Sequence, residues 1–464
     1  MRENYCGFPL ADDIYFDTEM VSKVIVELKC GKAADIAGLT AEHLHYSHPM
    51  LSVILSKFFH LILRSHYIPN GFKHSYIVPI PKIKDCRTKA MSCDDFRGIA
   101  ISPILSKVFE HCLLKHLQLF IASNDNQFGF KKGYGCSHAI YTVRRIVNRF
   151  VSRGNTINLC AIDLTKAFDK VNHHGLYIKL MKRHLPVQLL VLIENLFSGC
   201  CACIKWESCW SVDFVINFGV RQGSVLSPFL FAIYIDDIGN LCRPEHCLYT
   251  ILYADDILLL APSVTLLERL LHDCEYVLSW LDMAINFKKS FCLRIGQRHD
   301  MQCASISSFS GQVIPWTTEI RYLGVYIVCS RIFKCSLDIS KRSFYRAANA
   351  IFGKIGRYAS EDVILQLISS KCMPVLLYGL EACPLTKTVI SSLDFVVNRF
   401  FMKLFKTSDI NTVKQCQREF NFSIPSDILV TRGEKFVNRY RQCDNIFYIC
   451  NMTIYVTTLF GHKK

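Results

Sequence analysis

The sequence has no apolar run of the 18 or so residues needed to span a bilayer, which excludes a conventional transmembrane helix. Its first residues, MRENYCGFPLADD, lack the basic-then-oily pattern of a secretory signal. Both absences lead to the expectation of an intracellular chain with no membrane partner, with nucleus and cytoplasm both open. Paired CxxC spacings are missing too, although the chain carries 23 cysteines. The odd count, the size and the lack of an export signal favour free thiols over a disulfide framework. The densest group is Cys200, Cys201, Cys203 and Cys209. It lacks zinc-finger spacing, and Cys201 and Cys203 alternate as strand residues do. There is no internal repeat, low-complexity tract or long flexible linker. Acids are in deficit: 39 Asp+Glu against 54 Lys+Arg leave a net charge of +15, which favours a polyanionic partner, nucleic acid or an anionic membrane surface, and charge alone does not choose between them. With 464 residues, 51% of them hydrophobic, the chain is long enough for two or three folded domains.

What is present is organised around Leu248–Ala261, LYTILYADDILLLA, where two short apolar runs flank Asp255 and Asp256. Each run is too brief for a stable isolated helix, so the stretch predicts a buried hairpin with the two acids at its tip. Two carboxylates ~4 Å apart repel by ~4 kcal/mol at an effective dielectric of 20, and a divalent cation is the natural compensator. Adjacent aspartates also occur at Asp12-Asp13, Asp94-Asp95 and Asp236-Asp237. These lack the flanking strands and read as solvated turn or helix-end acids.

Upstream, INLCAIDLTKAFD gives a strand over Ile157–Ile162 that ends at Asp163. If the two strands are central neighbours, Asp163, Asp255 and Asp256 converge, and three carboxylates suit two cations about 3.5–4 Å apart. Around this centre the pattern alternates. An amphipathic helix is expected over 17–30 (Val21, Val24, Ile25, Leu28), a second helix from about Thr40, and an extended segment YIVPIPK delivering Lys82. A polar loop, Asp85 to Asp95, leads on to Arg97. A basic glycine-broken loop, NQFGFKKGYG, feeds a helix with Ile140, Val143, Val147 and Phe150 on one side. Residues 201–218 alternate like a hairpin, and GVRQGSVLSP opens a helix. Leu266, Leu267, Leu270, Leu271, Cys274, Val277 and Leu278 mark another. From about Lys341 the chain turns to helices with basic faces, in one of which Phe395, Val396, Phe400, Leu404 and Phe405 are expected to pack. The order implies an α+β layer with helices on one face of an antiparallel sheet.

Taken together, AIDLTKAFD, GVRQGSVLSP and YADD resemble, in that order, the motifs of reverse transcriptases of non-LTR (LINE-type) retrotransposons. The likeness runs outward through VPIPK, DFRGIAISPILSKVFE, NQFGFKKG, NFKKS and YLGV into the tail, roughly residues 20 to 440. It implies a right-hand polymerase: an N-terminal segment over 1–19, fingers and a ferredoxin-like palm over 20–328, and a helical thumb with a C-terminal extension over 329–464. The implied reaction is addition of deoxynucleotides to a DNA primer on an RNA template with two Mg2+ ions, Mn2+ being an alternative. By the same resemblance Asp163, Asp255 and Asp256 match the metal triad, and Lys82 and Arg97 the grip on the dNTP triphosphate. Gln222 matches a nucleotide-pocket residue, Phe168 the floor of the sugar pocket, and Lys289 the lysine that protonates pyrophosphate. Tyr322, Leu323 and Gly324 match the primer grip. Asp169 reads as a capping or supporting acid.

GKAADIAGLT departs from the pattern. The family usually has Gly-x-Asp-Gly there, and this chain has Asp35 and Ala37 ahead of Gly38, which implies a loop without that acid's hydrogen bonds. No nuclease motif accompanies the resemblance, and Cys416, Cys443 and Cys450 are too far apart for a Cys/His knuckle, so an endonuclease is expected from elsewhere. A truncated, catalytically silent nucleic-acid-binding remnant is one alternative. An RNA-dependent RNA polymerase is another, and Phe168 argues against it, because an acid able to read the ribose hydroxyl commonly stands at that position.

Overall fold

The computed structural model describes residues 5–8, 15–82, 91–356 and 358–443. Asp12-Asp13, most of the polar loop before Asp95, the side chain of Asp94, and Cys450 lie outside the described residues. In chain order the strands are β1 (His74–Pro81), β2 (Phe96–Ile101), β3 (Ile157–Ile162), β4 (Cys201–Trp206), β5 (Cys209–Trp210), β6 (Phe214–Val215), β7 (Tyr249–Tyr253), β8 (Asp256–Ala261) and β9 (Phe291–Ile295). They continue as β10 (Ile306–Ser307), β11 (Val313–Ile314), β12 (Glu319–Tyr322), β13 (Val325–Val328) and β14 (Cys335–Ser336). The chain divides into two compact units: Met1–Asn124 with Leu164–Ile238 and Tyr276–Ala284, and Asp125–Asp163 with Gly239–Glu275 and Ile285–Lys464.

In the first unit the helix Thr18–Glu27 starts at Asp17, whose side chain accepts from the Met20 N–H. It buries Val21, Val24 and Ile25, as their spacing predicts. Phe16, Phe59, Phe72 and Phe109 form the aromatic centre, with ring contacts of 5.3 to 6.3 Å. All four rings are buried, and each removes a large apolar area from water. The sheet runs β2-β1-β4-β5, with β6 also paired to β4. β1 and β4 are parallel, so 201–218 is more than a hairpin: it fans one strand across three partners.

In the second unit the sheet runs β7-β8-β3-β9, antiparallel throughout. The helix Cys136–Val151 buries Ile140, Val143, Val147 and Phe150, the face expected from sequence. These residues join Leu159, Ile251, Leu258 and Leu293 in one core that continues into the C-terminal helices through Phe344, Leu376, Val397 and Phe401. The α+β expectation holds.

Two readings need correction. In the helix Lys387–Leu404 the buried set is Leu393, Val396, Val397, Phe400 and Phe401, and Phe395 is 56% exposed. Three- and four-residue spacing places Phe395 with Ser391, Asn398 and Arg399, on the side away from that stripe. Asp236 is no solvated helix-end acid. It is buried, ion-paired to Arg183 at 2.6 Å, and accepts from the Asn124 N–H at 2.8 Å. No described helix is long and apolar enough to cross a membrane. The described cysteines are free.

Candidate active site

β3 and β8 pair antiparallel with Ile162 opposite Ile257. One step further along both strands sets Asp163 opposite Asp256, and directly opposed antiparallel residues have Cα atoms about 4.5–5.5 Å apart. β7 and β8 close at Tyr253 opposite Asp256, leaving Ala254 and Asp255 as a two-residue turn. The hairpin predicted from the two oily runs therefore exists, with both acids at its tip. Ala254 sits at φ 54, a left-handed conformation that a residue bearing a Cβ adopts at a cost of ~1–2 kcal/mol.

That turn is held by a residue that sequence reasoning passed over. Gln127 is fully buried, and its Oε1 accepts from the N–H groups of Ala254 at 3.1 Å and Gly129 at 2.9 Å. Its neighbours lie alongside β7: the Phe128 N–H donates to the Leu252 carbonyl and the Leu252 N–H to the Asn126 carbonyl, both at 2.8 Å. Gly129 is required here, since a Cβ on it would lie 2.5 Å from the Ala254 nitrogen. The QFG within NQFGFKKG is thus a clamp on the aspartate hairpin. The NFKKS segment secures the third aspartate. Buried Ser290 accepts from the Asp163 N–H at 3.1 Å, and the Asn286 N–H donates to the Asp163 carbonyl at 2.8 Å.

The electrostatics follow from this crowding. Burial, then the charges of Asp255 and Asp163, push the Asp256 carboxyl from its usual 3.8 up to about 6, with Arg321 acting in the opposite sense. Lys289 Nζ stands 3.8 Å from Asp163 Oδ2, but its side chain is 69% exposed, and an ion pair of that kind contributes little. The site offers oxygen donors, which fits hard divalent cations such as Mg2+ or Mn2+.

On β12–β13 the turn consists of Leu323 at φ 46 and Gly324 at φ 86. A Cβ on Gly324 would lie 2.7 Å from the Tyr378 ring. Tyr322 is buried in the core, so the surface of this hairpin tip is formed by Leu323 and Gly324.

The remaining sequence-predicted residues belong to the first unit. Arg97 pairs with Ile80 across the β1–β2 hairpin, and Lys82 follows the end of β1, its N–H donating to the Asp95 carbonyl at 2.8 Å. Lys82 lies two residues beyond Ile80, so both cations occupy the same end of one hairpin, and both are exposed. Phe168 is half-buried and stacks on Phe231, centroids 4.2 Å apart with planes 18° from parallel. Its carbonyl accepts from the Val220 N–H at 2.9 Å. Gln222 donates to Asp169 at 3.3 Å, a supporting role for that acid, and both line a cavity of about 260 Å³ with Ser75, Ile77 and Gly98.

The loop that carries Gln222 is fixed by Glu110, also passed over by sequence reasoning. Glu110 is fully buried and pairs with Arg221 at 3.2 Å. It also accepts from the hydroxyls of Ser106 and Ser224 and from the N–H groups of Val225 and Leu226 at 2.7 and 3.2 Å. Arg221 donates in turn to the Phe72 carbonyl at 2.8 Å. A charged pair this deep is tolerable only because so many hydrogen bonds satisfy it.

The loop of GKAADIAGLT is likewise held, contrary to the expectation. Asp35 is buried and accepts from the N–H groups of Ala37 at 3.0 Å, Leu39 at 2.9 Å and Ile104 at 2.9 Å. The acid two residues earlier does the work expected of the one that Ala37 replaces.

Paired aspartates at a β-hairpin tip, with a third on the adjoining central strand, gather three carboxylates at one end of the sheet. Residues 80–327, more than half of the chain, match the reverse transcriptase (RNA-dependent DNA polymerase) family, and the chain belongs to that family. This bears out the resemblance read from the motifs. The chain is similar to the RNA-directed DNA polymerase from mobile element jockey of Drosophila funebris, 27% identical over 342 residues, 70% of this chain and 36% of that one. It is also similar to a probable RNA-directed DNA polymerase from transposon X-element of Drosophila melanogaster, 29% identical over 226 residues, 46% of this chain and 23% of the relative. Among solved structures, apo telomerase from Candida tropicalis, truncated from its C-terminal domain, superposes with a TM-score of 0.41 at 13% identity, over 61% of this chain and 60% of that one. The chain spans about a third or less of the length of these curated relatives.

Proposed function

We propose that this chain is the polymerase portion of a non-LTR retrotransposon protein, extending a DNA 3′ end with deoxynucleotides on an RNA template. The observation that carries the reading is the β3–β8 register, which faces Asp163 against Asp256 beside Asp255 in a turn clamped by Gln127. In this reading Asp163, Asp255 and Asp256 hold two divalent cations. When bound, such ions would activate the primer hydroxyl and neutralise the leaving pyrophosphate.

The side chains have separable tasks. Lys82 and Arg97 bind the triphosphate by charge-assisted hydrogen bonds, each worth ~1.5–3 kcal/mol. Phe168, braced by Phe231, floors the sugar pocket, and Gln222 contacts the nucleotide. Lys289, exposed and beside Asp163, delivers a proton to pyrophosphate. Leu323 and Gly324 hold the primer end, with Tyr322 anchoring their hairpin from the core. By sequence, residues 20–328 would form fingers and palm, 329–464 the thumb and C-terminal extension, and 1–19 an N-terminal segment. The basic surface would track phosphates without reading sequence. The nick that supplies a primer in the cell would come from a nuclease outside these residues.

The test is extension of a DNA primer on an RNA template with Mg2+ and dNTPs. The wild-type chain should extend, and Asp255→Asn should lose extension while its primer-template affinity stays within a few-fold, because the metal site serves the transition state more than docking. Wild-type turnover in Asp255→Asn would overturn the assignment.

A further inference from the structure

Sequence reasoning found no zinc spacing among Cys200, Cys201, Cys203 and Cys209, but the fold brings one of these cysteines to ligands that lie far away in the chain. We propose that His74, Cys203 and Asp213 form a zinc site on the β1–β4–β6 sheet, separate from the three aspartates and different from them in chemistry.

The strand registers build it. β1 runs parallel to β4 with His74 beside Cys201 and Tyr76 beside Cys203. β6 runs antiparallel to β4 with Val215 opposite Cys201 and Phe214 opposite Ala202. One further step sets Asp213 opposite Cys203. Residues two apart on a strand share a face, so β4 presents Cys203 on the side where β1 presents His74. The outcome is that His74 Nε2 and Asp213 Oδ1 are 3.0 Å apart, and one ligand atom from each of the three residues lies within 4.8 Å of the other two.

Tetrahedral zinc bound at about 2.0–2.3 Å separates its ligand atoms by about 3.3–3.8 Å, so the cluster needs only side-chain torsions to close on an ion. No strand has to move. The donors are one imidazole nitrogen, one sulfur and one carboxylate oxygen, a mixed set that suits zinc and cobalt and is wrong for magnesium, which takes oxygen ligands. Cys203 is only 3% exposed while Asp213 faces solvent, so the sulfur forms the floor of the site and ions enter past the carboxylate. On binding, the Cys203 S–H bond gives way to a sulfur–zinc bond, and its proton leaves to solvent. Three protein ligands leave a fourth position for water.

The consequence is mechanical. A zinc ion here would pin β1 to both β4 and β6, and β1 is the strand whose end Lys82 follows. Without the ion, the β6 edge is tied to β4 by a two-residue ladder and the flanking Ile216–Cys200 and Ser211–Ile204 backbone hydrogen bonds, and Asp213 just before β6 is tied to β1 by its contact with His74.

The experiment uses the full chain, stripped with chelator and titrated with Co2+ in excess Mg2+ so that oxygen-only sites are filled. One equivalent of Co2+ should produce thiolate-to-cobalt charge-transfer absorption that Zn2+ abolishes. Cys203→Ser should lose the band. His74→Ala and Asp213→Asn should each weaken Co2+ binding by at least tenfold, while Cys209→Ser, on the exposed β5 strand, should keep it. Circular dichroism of each variant in chelator shows that the fold is retained, and Asp213→Asn, at the most exposed ligand, serves as the test if the buried variants fail to fold. Absence of a thiolate band in the wild-type chain, or its persistence in Cys203→Ser, overturns the proposal.

Discussion

Removing the charge of Asp256 should stabilise the metal-free protein even as it destroys the proposed chemistry. Its carboxyl is pushed from 3.8 to about 6 by burial and by the neighbouring aspartates. The folded state therefore binds that proton more tightly than the unfolded state. Stability is intact below pH ~4, where both states are protonated, and falls as pH rises through 6. A shift of about two pH units corresponds to at most ~3 kcal/mol. Asp256 is more than a third exposed, so solvent screening reduces this to ~1 kcal/mol. For units of this size that amounts to about 2–4 °C in Tm. Thermal melts of wild type and Asp256→Asn in chelator at low salt should show the variant melting higher at pH 8 and no different at pH 4. Adding Mg2+ at pH 8 should raise the wild type more than the variant, and the gap should close. A variant that melts lower at pH 8, or higher by the same amount at both pH values, would refute the claim that these carboxylates are mutually strained.

Phe168→Val should admit ribonucleotides, raising their kcat/KM relative to the matching dNTP by at least tenfold, ~1.4 kcal/mol of lost discrimination; parallel steady-state kinetics on one primer-template check it. Gln127→Ala leaves two buried N–H groups unsatisfied, ~1–3 kcal/mol, and should lower kcat about tenfold or more with KM for dNTP and primer affinity unchanged. Partial recovery in Gln127→Glu, which keeps an acceptor oxygen, would separate positioning of the hairpin from general loss of fold. Glu110→Ala strands Arg221 in the interior and should cost ~3–5 kcal/mol, read by denaturant melts. The Glu110→Ala, Arg221→Ala double variant should lose clearly less than the sum of the single ones, and strict additivity would mean that the pair does not interact.

Local patterns were legible in the sequence to within a few residues. The strand ending at Asp163 and the hairpin around Asp255 announce themselves because short β-branched and leucine runs break at charged residues that cannot continue a buried strand. The helix Cys136–Val151 is equally plain, since its apolar residues keep one 3.6-residue period. What stayed hidden is polar and long-range. Gln127 meets Ala254 across 127 positions, Glu110 meets Val225 across 115, and Ser290 meets Asp163 across 127. Nothing in the composition around a lone buried glutamine, glutamate or serine says which distant backbone it will satisfy. Asp236 was misjudged for the same reason, because its partner Arg183 stands 53 residues away. Phe395 failed differently: by helical spacing it shares a side with Ser391, Asn398 and Arg399, away from the Leu393, Val397, Phe400 and Phe401 stripe.

Asp35 gives its loop a single point of support. Its carboxylate already takes the N–H groups of Ala37, Leu39 and Ile104, so the donors that an acid at position 37 would claim are occupied. Position 37 is exposed, so an aspartate restored there would stand in solvent, whereas removing Asp35 would leave those backbone N–H groups without their acceptor. The order of this loop therefore hangs on one buried carboxylate, and the mismatch to the motif at position 37 leaves its hydrogen bonds intact.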